Sequence, residues 1–466
     1  MNITEFKTIV IGGGPAGMQS ALSASEGGDS VLIIEREEKL GGILKQCIHD
    51  GFGVIRYNEK LSGPEYAGID MDKVKKDLNI TVKTQCFVTD LYKDEKTGKF
   101  KIFASTESGI EIFVSKFLVL ANGCRERTAR QVQIHGSRPA GLLTAGAAQA
   151  YVNLMGALPG KNIVILGSGD VGLIMARRFT LEGAKVLGVY EAGSKPSGLM
   201  RNIHQCLHDF DIPLHLSTTV TRVFGNRRVE AVEIAKTTEG FQIVAGTEQI
   251  ISCDTLVVSV GLIPENELAE KLKIKMDPKT NGPIVTEYME TSLKNCFSVG
   301  NALHVHDLVD DVSEGAEIAG RYIAGLPPLK NKKRIHEATE YEGAEVFGKE
   351  IVCTTCPNSC ILMAELLDGG GVKVAGNKGG CKRGIKFAQY ELTTPMRTLT
   401  SYVKTTRKSV PFASVRTEKE VPKDKLFDIM EILKTTVIKT PMKRGEVVVE
   451  NVLNTGVNVI LTTEVY

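Results

Sequence analysis

Four cysteines, Cys353, Cys356, Cys360 and Cys381, carry the most specific chemistry in the chain, reading C-x2-C-x3-C-x20-C. Thiolates are ligands of soft metals. Three of them within eight residues can wrap one face of a compact inorganic group while the fourth closes it from a second loop. Structural zinc usually draws two ligands from each of two knuckles. Here three come from one tight run, the arrangement of a [4Fe-4S] cube with one thiolate per iron. The spacing therefore favours a [4Fe-4S] cluster over zinc, with disulfides or free thiols as the remaining alternative. Pro357, Gly379 and Gly380 suit tight turns around such a group. Arg383 has two readings, a charge that raises a reduction potential or docks a partner, and a solvated surface side chain.

Two glycine-rich segments stand upstream. Gly12-x-Gly14-x-x-Gly17 follows the apolar run Thr8–Ile11. Gly12 permits a tight turn, Gly14 lets the backbone approach a pyrophosphate, and Gly17 lets helix and strand pack closely, with the helix N-terminus attracting the anion. Glu35 ends the next run, Val31–Ile34, where a carboxylate can accept from both ribose hydroxyls. The pattern returns in Gly167-x-Gly169-x-x-Gly172, after the run Asn162–Leu166, with Glu191 closing Lys185–Tyr190. A carboxylate there accepts from a free 2′-hydroxyl and repels a 2′-phosphate, and no basic residue lies between Glu191 and Lys195, so NAD(H) is expected over NADP(H).

The elements that must position these residues form an α/β chain. Its 466 residues suggest roughly three domains at about 150 residues each. Two Rossmann-like dinucleotide-binding domains are expected, the second inserted in the first, because strands of the first unit resume after the second. The boundaries are 1–155 and 255–328 for the first domain, 156–254 for the inserted one, a linker over 329–345 around the basic cluster Lys330–Arg334, and a C-terminal α+β cysteine-cluster domain over 346–466. Alternating runs near Val220 to Thr247 predict a β-meander, Thr255–Gly261 closes that unit, and helices are expected from Val312 through Ile323 and near Asp424 to Leu433.

Composition narrows the function. A net charge of +2 and the absence of Trp give no footprint for nucleic acid. The stretch from Pro139 to Gly160 carries no charged residue, yet it is too rich in Gly, Ala, Thr, Gln and Asn for a membrane span, so a buried helix behind a ligand site is expected and no transmembrane segment. The opening residues lack a basic n-region, which points to a reducing cytoplasm, where ten cysteines suggest metal or redox work rather than staples.

Further segments carry a resemblance. Leu40-Gly41-Gly42 after Glu35-Arg36, Leu118–Gly123 and Phe297–Asn301 are similar to segments of FAD proteins, the last with Asn301 where an acid usually bonds the ribityl chain. Over about residues 5–325 the chain resembles the two-dinucleotide flavoprotein (pyridine nucleotide-disulfide oxidoreductase) family, which implies FAD and NAD(H) cofactors and hydride transfer between them. Gly12, Gly14, Gly17, Glu35, Arg36, Gly42, Gln46, Gly123, Gly300 and Asn301 are the implied FAD residues, and Gly167, Gly169, Gly172, Glu191 and Gly261 the implied NAD residues. The C-x4-C pair of many disulfide reductases is missing: Gly41–His49 holds Cys47 alone, and the inserted domain holds no cysteine pair in the manner of thioredoxin reductases. Disulfide reduction is therefore disfavoured.

Gly42–Gly53, Leu61–Ala67 and Gly300–Asp310 resemble a narrower group, the FAD/NAD-dependent subunits encoded beside anaerobic-type glycerol-3-phosphate dehydrogenases. Residues from about 347 onward, including Arg397–Thr400 and Asn454–Val457, resemble a small cysteine-cluster protein that often accompanies them, fused here. The implied catalytic candidates are Cys47, His304 and His306. Cys47 is a flavin-contacting or redox-sensing thiol, or a packed side chain; His49 orients it or faces solvent. His304 and His306 are proton donors or cationic stabilisers of reduced flavin, or structural histidines. The expected activity passes electrons between NAD(H), FAD and a [4Fe-4S] cluster to or from a partner redox protein, a glycerol-3-phosphate dehydrogenase-like subunit by the resemblance, within an oligomer. The alternatives are a stand-alone NADH oxidase or diaphorase with a structural C-terminal metal, and a non-enzymatic redox-sensing subunit.

Overall fold

The structure, a computed structural model, describes residues 3–327, 348–369, 371–376 and 381–466. The expected linker over 329–345 and the turn glycines Gly379 and Gly380 lie outside the described residues. The chain forms two compact units: Met1–Cys47, Phe52–Arg125 and Leu262–Lys333 make the first, and Ile48–Gly51, Glu126–Gly261 and Arg334–Tyr466 the second.

The first unit is built on a seven-stranded sheet. Ile3–Ile11 pairs in parallel with Val31–Ile34 on one side and with Gly109–Leu120 on the other; Ile80–Lys83 extends the parallel part, and Cys296–Ser298 joins it from far along the chain. Val31–Ile34 is buried throughout, which is why it reads as an unbroken apolar run rather than an alternating one. Phe87–Lys93 and Phe100–Thr106 continue antiparallel from Gly109–Leu120. The helices Pro15–Ser25 and Val309–Ile323 pack closely because their seam is made of small residues. A Cβ on Gly320 would stand 2.5 Å from Ser20 O and 2.6 Å from Ser23 Cβ, and Ser20 Oγ donates to Ala316 O at 3.2 Å.

The second unit carries a five-stranded parallel sheet in the order Leu142–Thr144, Thr255–Val258, Asn162–Leu166, Lys185–Tyr190, Leu214–His215. The meander is present as Thr218–Phe224, Ala231–Lys236 and Gln249–Ser252. The uncharged stretch forms the helix Ala145–Met155, buried along Ala145, Ala148, Gln149 and Val152 and exposed at Tyr151, Leu154 and Met155. Among the described residues no helix is long and apolar enough to cross a membrane.

The C-terminal part is sheet-rich. Lys349–Val352, Ile361–Leu366 and Val372–Gly376 form an antiparallel sheet beside the helix Lys382–Thr393. A five-stranded sheet follows, with the helix Leu426–Thr435 burying Leu426, Ile429, Met430 and Leu433 against Val403, Val415 and Val459. This part is fastened to the helix Asp170–Leu181 and to the turn holding Asp209. Arg397, only 4 % exposed, is bidentate on Asp209 (Nε–Oδ2 2.5 Å, Nη2–Oδ1 2.9 Å) and bonds Glu391 at 2.8 and 2.9 Å. Arg177 donates to Thr398 O at 2.9 Å, and Arg178 to Ser401 Oγ at 3.3 Å. The motif Arg397–Thr400 is thus a structural clasp.

Candidate active site

The first cradle is made by close approach of main chain to main chain. Gly12 has φ +106°, and a Cβ there would lie 2.3 Å from Ala121 O; a Cβ on Gly17 would lie 1.8 Å from Gly12 O. Only glycine fits at either position. Gly14 differs. The nearest atom to its Cβ position is Gly42 Cα at 3.8 Å, so an open space lies at the N-terminus of Pro15–Ser25, whose cap has no side-chain hydrogen bond. Unsatisfied amides at a helix start attract a phosphate. Glu35, buried, accepts from Gly13 N at 2.7 Å and from Glu37 N at 2.8 Å.

The second cradle repeats the first. A Cβ on Gly167 would stand 2.0 Å from Ser259 O, and one on Gly172 2.9 Å from Gly167 O, while Gly169 meets nothing nearer than 3.8 Å. Glu191 accepts from Ser168 N at 3.0 Å, Ser168 Oγ at 2.6 Å, Gly193 N at 2.9 Å and Ser197 Oγ at 3.3 Å. One difference matters. The helix Asp170–Leu181 has an acid at its first position, and Asp170 Oδ1 is occupied by Leu199 N at 2.8 Å and Asn202 Nδ2 at 2.9 Å. Gly261, with φ +96°, leaves open space at its Cβ position and accepts from Arg127 N through its carbonyl. Both cradles fit a dinucleotide: a vacant glycine position at a helix start and a carboxylate at the end of the next strand.

Around the first cradle, Gly42 opens a short 3-10 turn, Gly42–Lys45, capped by Gln46. The following Cys47 is half-buried, and burial pushes its thiol up to about 12. Its carbonyl accepts from Gly63 N at 2.9 Å. Gly63 starts the helix Gly63–Lys76, where Ser62 and Glu65 form a reciprocal capping box, so Leu61–Ala67 is a helix start that holds the Cys47 loop. Arg36 is exposed and paired with Glu265 at 3.1 Å. Gly123 is open at its Cβ position, whereas a Cβ on Gly300 would stand 2.7 Å from Ala16 Cβ.

Asn301 and the histidines do come together. Asn301 Oδ1 accepts from His306 N at 3.1 Å and lies 3.3 Å from His306 Nδ1; His304, exposed, stacks on His306 with ring centroids 4.0 Å apart. Burial, and then the neighbouring His304, lower the pKa of His306, which favours its neutral form. Asn301 Nδ2 also donates to Cys124 Sγ at 3.5 Å. Nothing in the sequence singles out Cys124 beyond its position directly after Gly123. His49 is half-buried rather than solvent-facing, with Nδ1 3.2 Å from Asp50 O, and burial lowers its pKa.

The C-terminal cysteines lie on a hairpin and at a helix start. Cys353 leaves one strand and Cys360 enters the next, and Cys353 N donates to Cys360 O at 2.8 Å across the neck of this hairpin. Cys381 caps the helix Lys382–Thr393, its Sγ accepting from Gly384 N at 3.4 Å. The Cβ position of Gly384 lies 3.7 Å from Cys381 Sγ and 3.8 Å from Cys353 Sγ. All ten cysteines are free of disulfides. Burial, together with the neighbouring cysteines, raises the thiols of Cys353 and Cys360. Four thiols are the donor chemistry of a thiolate-held metal group, whose charge would reverse that rise. Among the described residues no three His, Cys, Asp or Glu side chains stand at ready-made ligating geometry.

Residues 6–319 match the profile of the pyridine nucleotide-disulphide oxidoreductase family, and the chain belongs to that family. Residues 382–463 match a family described as a protein of unknown function (DUF1667). The chain is similar to hydrogen cyanide synthase subunit HcnB of Pseudomonas protegens, 27 % identical over 350 residues, covering 70 % of each chain. It is also similar to a subunit of opine oxidase from Agrobacterium tumefaciens, 22 % identical, covering 72 % of this chain and 67 % of the relative. Rat mitochondrial dihydrolipoyl dehydrogenase is 24 % identical over 63 % of this chain and 61 % of its own. Among solved structures, thioredoxin reductases of T. acidophilum and Lactococcus lactis superpose with TM-scores of 0.58 and 0.57 at 20 % and 19 % identity, each over 69 % of this chain and 98 % of theirs. The fold is therefore that of a thioredoxin reductase-like flavoprotein with a further C-terminal region, and the chain is an FAD- and NAD(P)H-dependent oxidoreductase.

Proposed function

We propose that the chain is the NADH-linked subunit of a two-protein oxidoreductase, with FAD in the first cradle, NAD(H) in the second and a [4Fe-4S] cluster on Cys353, Cys356, Cys360 and Cys381. When bound, these groups supply hydride transfer between nicotinamide and flavin and single-electron exchange at the cluster. The domain limits of this reading are 1–155 with 255–328, 156–254, the linker 329–345, and 346–466.

The observation that carries it is the neighbourhood of the cysteine loop. Ser359, between Cys356 and Cys360, accepts from Arg201 N at 3.1 Å through its Oγ. The Arg201 guanidinium is buried and stands 3.1 Å from the Cβ position of Gly51, with Nη2 3.9 Å from Asp50 Oδ1. Asp50 and Gly51 follow Cys47 by a few residues. One helix, Met200–Cys206, thus joins the cysteine loop to Asp50 and Gly51 within the second unit.

The other residues have defined tasks. The vacant positions at Gly14 and Gly169 receive phosphate oxygens, Glu35 and Glu191 receive ribose hydroxyls, and Asn301 receives the ribityl chain. Glu191 disfavours a 2′-phosphate, hence NAD(H). His306, held by Asn301, supplies or accepts a proton beside the flavin, and His304 shields it. A partner protein is supported by two relatives being named as subunits. The partner in this reading is a glycerol-3-phosphate dehydrogenase-like flavoprotein.

The test is anaerobic purification followed by iron, sulfide and zinc analysis, with electron paramagnetic resonance of the reduced protein. Four irons per chain and a reduced-cluster signal are expected; zinc without iron removes the cluster. Cys360→Ser should keep flavin reduction by NADH and lose partner-dependent turnover. The second reading is a stand-alone NADH oxidase with a structural metal on the same four cysteines. Undiminished NADH oxidation by O2 in the Cys360→Ser chain, with no gain from any partner, selects it.

A further inference from the structure

The helix Asp170–Leu181 carries two consecutive arginines that are nearly fully buried, Arg177 at 7 % and Arg178 at 4 % exposure. Their charges are answered unequally. Arg178 pairs with Glu182 at 2.5 Å, and Tyr402 OH donates to the same carboxylate at 3.3 Å. Arg177 makes no ion pair among the described residues; it has Thr398 O as one acceptor and the Phe210 ring 5.9 Å from its guanidinium carbon. Arg177 Nε and Arg178 Nη1 are both buried donors with no acceptor. A buried guanidinium without a counter-charge is costly, and so is each orphaned N–H.

Both arginines line one cavity, with His49, Asn153 and Thr400 as its polar walls and Ile48 and Ile174 as its apolar ones. Its volume, about 10 Å³ for the centre of a water-sized guest, accommodates one small guest. A water would satisfy donors and leave the charge unanswered. A small anion would answer both the donors and the charge. Asp209, the nearby acid on the turn after the helix Met200–Cys206, is already held by Arg397 and Lys423.

We propose that this cavity is a halide site: one chloride ion, accepting from Arg177 and Arg178, neutralises the net positive charge and ties the helix Asp170–Leu181 to the segment Thr398–Ser401. The site is distinct from both dinucleotide cradles and from the four cysteines.

Thermal unfolding of the full chain is measured in sodium gluconate with chloride or bromide titrated in at constant ionic strength. A saturable rise of roughly 2–4 °C is expected with either halide. Arg177→Met keeps an apolar stem beside Phe210 and removes the unpaired charge, so its melting temperature should be the same with and without halide. Independently of any variant, crystals of the wild-type chain grown in bromide should show an anomalous peak between the two guanidinium groups. A halide-independent melting temperature, or an ordered water with no anomalous signal in the cavity, overturns the proposal.

Discussion

The amide of Gly13 donates to Glu35 Oε2, and the amide of Ser168 donates to Glu191 Oε2: the same bond, to the same carboxylate oxygen, made twice in one chain. The second oxygen is also used alike, by Glu37 N in one case and Gly193 N in the other. Each carboxylate therefore braces the turn beneath a phosphate cradle before it meets any ribose. In the proposed function it is a cofactor ligand and a part of the cradle's frame at once.

Replacing Glu191 by Gln puts an amide donor among four groups that all donate. Loss of one charge-assisted bond to the ribose, about 1.5–3 kcal/mol, should raise the Kd for NADH roughly tenfold to a hundredfold. The flavin content should not change. Glu35→Gln should do the converse, emptying the flavin site. Visible absorbance of the purified variants and NADH titration separate the two.

Gly14→Ala and Gly17→Ala lie three residues apart and should fail differently. An alanine methyl at 17 collides with Gly12 O at 1.8 Å, so the variant should lose about 1–3 kcal/mol of stability or not fold. At 14 the methyl meets nothing nearer than 3.8 Å, so the apo chain should melt near the wild-type temperature yet not retain FAD. Equal stability losses in both would remove the vacant cradle.

Arg397→Met strands two buried partners, Asp209 and part of Glu391. Breaking such a network typically costs about 3–5 kcal/mol. Chemical denaturation should show the loss, and protease should release the C-terminal part faster than in the parent chain.

Cys47 should be a poor nucleophile in the apo chain. With its thiol near 12, a thiolate is present in only ~0.01 % of molecules at about pH 8. Iodoacetamide should label the exposed Cys381 well before Cys47 in iron-free protein. Fast labelling at Cys47 would falsify the buried-thiol assignment.

Acid should destabilise the fold through its histidines. Burial lowers His49, His204, His215 and His306 below the ordinary 6.5. Below that pH the unfolded chain binds more protons than the folded one, so stability falls as pH drops from about 6.5 through the lowered values. Melting temperatures from about pH 8 to 5 check this, and His306→Asn should flatten the slope.

Much of the frame could be read from residues alone, since Val31–Ile34, Asn162–Leu166 and Lys185–Tyr190 are strands over the spans expected. Parallel strands covered on both faces are unbroken apolar runs, and glycine turns punctuate them. Helix starts were less legible. The helix expected from Val312 begins at Val309, because Asp310 and Asp311 in its first turn break the apolar rhythm. The meander extends to Ser252, beyond the expected Thr247, since its last strand is largely exposed and lacks alternation. What no pattern announced was the burial of charge. Arg177, Arg178, Arg201 and Arg397 look like surface residues in sequence, and only tertiary packing makes them interior. Cys124 beside Asn301 is a pairing across 177 residues, which local spacing does not encode.

The small-residue seam between Pro15–Ser25 and Val309–Ile323 fixes an order of events during synthesis. The helix under the first cradle finds its packing partner, and its sheet finds the strand Cys296–Ser298, only after the ribosome has delivered most of the residues between them. The second cradle needs only the span from Leu142 to Val258 for its sheet. On the proposed cofactor assignment, nascent chains should thus acquire nicotinamide affinity well before they can retain a flavin, and chains truncated short of Ile323 should be colourless.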